Sequence, residues 1–321
     1  MPKPKLALYW AASCGGCEIA VLDIQEKILD VASAFDIVFW PVAMDFKYDD
    51  VRKMEDKSID LCLFNGSIRN SENAEIARLL RSKAITLVAF GSCSMEGGIP
   101  GLANLTTKAD ILRFVYKDSP STVTTNGGVY PQTDTHMPEG NIEIPELWET
   151  VKALDQVIGV DYYVPGCPPV PDQIWNVIEF ILSGQPLPPR GSVLGAGLKT
   201  CCDECSRTKN EKKLKQFYRP FEIETKPEEC LLEQGLVCMG PATRDGCGAL
   251  CPKANMPCRG CYGPPPHVVD QGAKMVSALS SIIDAHEPEE IEKILDQIAD
   301  PLGTFYRFSL AHSILRRVDK L

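Results

Sequence analysis

Apolar positions over the first 185 or so residues fall into short runs separated by stretches of helical spacing. The runs at 5–10, 36–40, 59–64, 84–90 and 157–164 predict strands. Pro41 stops the second, Asn65-Gly66 follows the third, and the fourth runs into Gly91-Ser92-Cys93. Between them, 17–32 carries Ile19, Leu22, Ile28 and Val31 at near-helical spacing, 72–82 turns Ile76, Leu79 and Leu80 inward, and 172–182 predicts a closing helix. Strands alternating with helices imply a parallel, doubly wound α/β sheet, with a flavodoxin-like domain over 1–185 as the best single match. A polar, Pro/Gly-containing insert covers about 97–145, and 184–197 is a linker. A Cys-rich, loop-rich domain is expected over 186–265, too poor in apolar residues from 198 on to hold a core alone. Amphipathic helices at 268–284, 288–299 and roughly 304–319 form a helical tail, 266–321, and no repeat is present.

Composition narrows the class. The 321 residues, 44% of them hydrophobic, are enough for about two domains. A net charge of −10 offers no basic face for nucleic acid. No stretch approaches the roughly 18 apolar residues of a membrane span, and the start, Met-Pro-Lys-Pro-Lys, has no apolar leader or twin arginine, so a cytoplasmic protein is expected. Cysteine is the outlier: there are 14, nine of them between Cys201 and Cys261. In a reducing compartment such spacing reads as metal ligands before disulfides.

Cys14, Cys17, Cys93 and Cys167 are distant in sequence, but each follows a strand of the expected sheet. All four therefore belong at its carboxyl edge, where open α/β sheets bind ligands, and four thiolates suit a 4Fe-4S cluster. Gly15, Gly16, Gly91 and Gly166 let the backbone approach sulfur closely. The competing readings are buried free thiols with a thioredoxin-like Cys14/Cys17 pair. A phosphate-binding loop fails, since no GxxxxGK[ST] follows the first strand. Cys62, between Leu61 and Leu63 in a strand, reads as core.

The second block holds Cys202-Asp-Glu-Cys205, Cys258-Arg-Gly-Cys261 and a Cys247-Gly-Ala-Leu-Cys251-Pro run of ferredoxin type. A contiguous division gives Cys202, Cys205, Cys230 and Cys238, then Cys247, Cys251, Cys258 and Cys261. It leaves one of Cys201 and Cys202 spare, and spacing alone allows ligands to cross between sets. Structural zinc, in a zinc-stabilised binding module, is the rival chemistry.

Ser13-Cys14-Gly-Gly-Cys17-Glu18, Gly91-Ser-Cys93-Ser-Met-Glu-Gly97-Gly98, Pro165-Gly-Cys167-Pro-Pro169 and Gly246-Cys247 through Cys261-Tyr-Gly-Pro264 together resemble the small subunit of [NiFe]-hydrogenases. The resemblance spans residues 5–265 and implies three 4Fe-4S clusters: proximal on Cys14, Cys17, Cys93 and Cys167, distal on Cys202, Cys205, Cys230 and Cys238, and medial on Cys247, Cys251, Cys258 and Cys261, with Cys201 unassigned. Many periplasmic members have a histidine in the distal site and a proline in the medial one; cysteines stand at both here, as in the cytoplasmic archaeal type. The pattern is most similar to the methyl-viologen-reducing (non-deazaflavin-reducing) hydrogenases, whose gamma subunit is associated with heterodisulfide reductase in electron bifurcation; the deazaflavin-reducing type shares much of it. The resemblance implies no catalytic residue on this chain, hydrogen cleavage on a partner large subunit, and an iron–sulfur or flavin protein as electron acceptor. A quinone-reductase subunit resembling complex I is the nearer rival, although such subunits usually lack the second cysteine block. Glu18 reads as an exposed helix carboxylate ahead of a proton-moving group, and His136, His267, His286 and His312 as surface or core residues.

Overall fold

The computed structural model describes residues 2–124, 127–210 and 213–316. A six-stranded sheet runs in the order Ser192–Val193, Tyr162–Val164, Ala84–Phe90, Ile59–Asn65, Lys5–Trp10, Asp36–Phe39, with every pair parallel. Alternate residues serve its two faces, as strand geometry dictates. Leu6, Leu8, Leu61, Leu63, Val88 and Phe90 pack against Ala20, Val21, Val31, Ile174 and Val177. Ala7, Tyr9, Phe64, Leu87 and Ala89 pack against Val51, Ile76, Ala77 and Leu80 on the other side. Cys62 is fully buried in that second cluster, as a core residue.

Helices on both faces give the expected doubly wound sheet. Helix Ser71–Lys83 starts where the Asn70 side chain accepts from Asn73 N. Helix Pro171–Leu182 starts with a proline, which costs no helical hydrogen bond at that position. At the outer edge, the buried Asp161 carboxylate accepts from Arg81 Nη1 (2.6 Å) and Leu87 N (2.8 Å) and tethers helix to strand.

Several elements differ from the sequence pattern. The predicted helix 17–32 is two helices, Gly16–Leu22 and Ile28–Ala34, broken at Gln25 with φ 61°. Cys17 and Glu18 occupy the inner face of the first, so Ile19 and Leu22 point outward, 57% and 48% exposed. The strand expected at 157–164 begins only at Tyr162, because Val157, Ile158 and Val160 pack on the core as a loop instead. The linker contributes the sixth strand, Ser192–Val193. The 97–145 insert holds helix Lys108–Arg113 and a hairpin, Asp134–Met137 with Gly140–Glu143, exposed on both faces and so lacking any alternation to read.

The Cys-rich segment gains its core from the chain that follows. Cys201, Phe217, Met239 and Cys258 share one apolar cluster with Met275, Leu279, Ile294, Phe305 and Leu310. Two tail helices are shorter than their patterns, Gln271–Ser280 and Pro288–Leu295. The third is only Pro301–Phe305, followed by a 3₁₀ turn at Leu310–His312; residues 317–319 of that expectation lie outside the described residues. Phe305, Phe308, Leu310 and Ala311 are all buried, so this stretch packs on all sides and shows no single helical face. It docks on the sheet domain: Gly98 N donates to Phe308 O (3.0 Å), and a side chain at Gly97 would collide with Ala311. Among the described residues no helix is long and apolar enough to cross a membrane.

Candidate functional site

Three loops at the carboxyl edge of the sheet bring the first four thiols together. Cys14 lies beyond strand Lys5–Trp10, Cys17 in the first turn of helix Gly16–Leu22, Cys93 after Ala84–Phe90 and Cys167 after Tyr162–Val164. Ser92 N donates to Gly166 O (2.7 Å) and Gly91 N to Val164 O (2.8 Å), locking two of the loops side by side. Burial, then the neighbouring Cys93, Cys167 and Cys14, push the Cys17 thiol up. Burial, then Cys167 and Cys14, push Cys93 up to about 12. Mutual repulsion of this kind requires the four sulfurs to be close, and a cationic metal core would reverse it. The glycines make the room. Gly91 has φ +87° and a Cβ there would strike Cys17 Sγ; a Cβ at Gly98 would stand 2.5 Å from Cys93 Sγ.

A second group lines one pocket: Cys202, Cys205, Cys230 and Cys238, with Cys201, Lys209 and Arg207 also at its wall. The side chain at Gly240 is missing for cause, since a Cβ would lie 2.9 Å from Cys202 Sγ. Cys258 N donates to Cys238 Sγ at 3.3 Å, the N–H···S contact that cluster-binding loops provide. Arg207, which nothing in the sequence singles out, clamps these loops. Its buried guanidinium donates to Pro252 O twice, Lys226 O, Glu229 O and Asn255 Oδ1 at 2.7–3.1 Å. It thus ties the stretch just after Cys205 to those flanking Cys230 and Cys251.

The third group is Cys247, Cys251, Cys258 and Cys261. Burial, then Cys258 and Cys247, raise Cys251; Cys261 is raised by burial and by the same two neighbours. Cys201, 1% exposed, lies beside this group, with the sulfurs of Cys247 and Cys258 next to its own. Cys202, next in sequence, faces Cys205 and Cys230. Cys201 thus sits between the third group and the pocket of the second, which spacing could not show.

The three groups form a row whose spatial order differs from the sequence order. The backbone N–H of Cys167 faces the Cys261 sulfur, and Ser92 Oγ donates to Cys261 O, joining the first group to the third. Cys201, Cys238 and Cys258 join the third to the second. All 14 cysteines are free. Among the described residues no set of three or more His, Cys, Asp or Glu is placed to hold a single ion.

Two carboxylates beside the first group are buried. Glu18 is 3% exposed, not on an exposed helix face; Trp40 Nε1 donates to it, and burial raises its pKa against the opposing pull of Trp40 and Asn65. Glu96 is raised to about 7 by burial, partly offset by His312. His312 lies 3.9 Å from Glu96 and 3.1 Å from Asp155, which accepts from Tyr163 Oη; the Asp155 hydrogen bond raises the histidine. His312 is thus a latch for the tail, a role its isolated position in the sequence did not show.

Both shifts tie docking to pH in one direction. Between 4.5 and about 7 the folded protein holds a Glu96 proton that the unfolded chain has released, so stability falls as pH rises. The His312 contribution is complete below 6.5 and fades as pH passes its raised value. Glu96→Gln should therefore gain up to about 3 kcal/mol over the native protein near pH 8, with the gap shrinking toward pH 5. Urea unfolding under anaerobic conditions measures it, and a gap independent of pH would contradict the assignment.

Comparison with known proteins points the same way. The family described as NADH ubiquinone oxidoreductase, 20 Kd subunit, matches residues 14–181. The iron–sulfur subunit of an F420-non-reducing hydrogenase from Archaeoglobus profundus is 42% identical over 323 residues, 98% of each chain. Its counterpart in the F420-non-reducing hydrogenase of Methanothermobacter marburgensis is 40% identical over 98% of this chain and 96% of its own. The [NiFeSe]-hydrogenase of Dm. baculatum shares the fold, with a TM-score of 0.51 at 18% identity over 83% of this chain and 96% of that one.

Proposed function

Because the chain belongs to the family of F420-non-reducing hydrogenase iron–sulfur subunits, the small electron-transferring subunits of [NiFe]-hydrogenases, we propose that it relays electrons through three 4Fe-4S clusters from a large subunit that cleaves hydrogen to an iron–sulfur or flavin partner, such as a heterodisulfide reductase complex. The row of three thiol groups carries this reading. Cys14, Cys17, Cys93 and Cys167 would hold the proximal cluster, within residues 1–185. Within 186–265, Cys247, Cys251, Cys258 and Cys261 would hold the medial cluster and Cys202, Cys205, Cys230 and Cys238 the distal one; 266–321 would be the tail, of which Met275, Leu279, Ile294, Phe305 and Leu310 pack on that core.

Bound there, the clusters supply one-electron redox centres whose potentials follow ligand type, hydrogen bonds to sulfur and burial. The chain's part is to fix the sulfurs, aim N–H groups such as Cys258 N at them, and bring the glycine-lined loops close against them. A medial group between the other two is supported by the contacts of Ser92 and Cys167 with Cys261 and of Cys258 with Cys238. Beside the first group, Trp10, Ile19 and Leu22 are 40–57% exposed, an apolar patch that suits the large subunit. Free thiols throughout fit a reducing cytoplasm.

The test is anaerobic purification under native conditions. The reading expects a nickel-containing partner and about twelve iron atoms per chain with no zinc; a colourless zinc protein without partner overturns it. Cys201→Ser separates the spare thiol from the ligands: iron content should stay unchanged, whereas Cys247→Ser should lose the medial signal in electron paramagnetic resonance. Loss of iron in Cys201→Ser would reassign the ligand.

A further inference from the structure

Next to the thiol row lies a pocket of about 160 Å³ that collects three arginines, Arg219, Arg259 and Arg307, on walls that include Phe217 and Pro257. In a chain of net charge −10, three guanidiniums share one hollow whose lining carries a single carboxylate, Asp300. Among the described residues no ion pair engages Arg219, Arg259 or Arg307. Arg307 Nε is buried without a hydrogen-bond partner. The Asp300 carboxylate also lines the pocket but is committed to capping its own helix, where it accepts from Gly303 N at 2.9 Å. All three guanidinium-bearing residues line the same hollow, and Arg219 also lies over Phe221, its guanidinium carbon 5.9 Å from the ring centroid.

We propose that this pocket binds a phosphate-class oxyanion, gripped by the guanidiniums of Arg219, Arg259 and Arg307. Planar forks of donors match phosphoryl oxygens two at a time, and a multiply charged anion relieves the mutual repulsion that a single carboxylate would leave. The pocket has room for such a group with its nearest waters. It lies beside the relay, since Arg259 follows Cys258 and Val237 of its wall precedes Cys238. The phosphoryl group comes either as free phosphate or as part of a larger phosphorylated molecule.

Equilibrium dialysis of the intact, anaerobically purified complex at fixed ionic strength tests this with labelled orthophosphate, pyrophosphate and AMP in parallel. Saturable binding of one anion per chain is expected, weakened about tenfold by Arg307→Gln and by Arg259→Gln. Arg190→Gln, whose native guanidinium pairs with Asp161, should leave it unchanged. AMP binding more tightly than orthophosphate assigns the site to a phosphorylated molecule, and the reverse to free phosphate. Unchanged iron content in each variant shows that the fold and relay survive, so a failure here is distinct from a failure of the relay. The proposal is overturned if no saturable binding is found, or if binding ignores both arginine replacements. It is equally overturned if Arg259→Gln shifts a cluster potential in a protein that binds no anion, which would make the arginines counter-charges to the relay alone.

Discussion

Replacing Cys17 by alanine is expected to remove about four iron atoms per chain and to drop hydrogen-dependent reduction of an external acceptor to background, while isotope exchange between hydrogen and water on the large subunit persists. Cys17 is as enclosed as Cys93, each 7% exposed, with Cys14, Cys93 and Cys167 around it and Gly91 against its sulfur. Cys62, the remaining thiol of residues 1–185, cannot substitute, since it is buried on the opposite face of the sheet. Gly91→Ala should reproduce the loss without touching a ligand, since its methyl would drive into Cys17 Sγ at a backbone angle L-residues avoid. Iron analysis and paired activity assays decide it; full iron with unimpaired electron delivery in Cys17→Ala would remove the proximal assignment.

Arg207→Ala should be the most damaging substitution outside the cysteines. Five donated hydrogen bonds disappear, and the carbonyls of Lys226, Glu229 and Pro252 lose their shared partner. Hydrogen bonds from a buried charge are worth more than neutral ones, though water will reach some of the freed acceptors, so a cost of about 4 kcal/mol is expected. The loops bearing Cys205, Cys230 and Cys251 would lose their common anchor, and the distal signal in electron paramagnetic resonance should fade first. Arg207→Lys should recover only part of it, because an ammonium cannot present the planar fork. A variant with native iron and native unfolding midpoint would show that the clamp is redundant.

The sheet was legible because both of its faces are buried: strands between two helical layers read as short apolar runs, and five of the six appear that way in the sequence. The sixth, two residues in a Pro/Gly-rich linker, is held only by its pairing with Tyr162–Val164 and has no pattern of its own. The first thiol group was legible through the same sheet, since a parallel strand delivers the loop after it to one edge whatever the sequence distance.

Residue types and spacings therefore determined the wound sheet, the loops that carry the cysteines and the kinship of the chain. The places of Cys201 and Cys202 among the groups, the order of the groups in space, the inward turn of Glu18 and the latch at His312 were decided only by tertiary packing. Periodicity encodes which side of an element faces a core. It carries no record of which distant loop, here the one with Thr243, Cys247 and Cys258 or the tail at 309–313, closes over that side, because such contacts are fixed by long-range packing of residues whose local patterns are irregular.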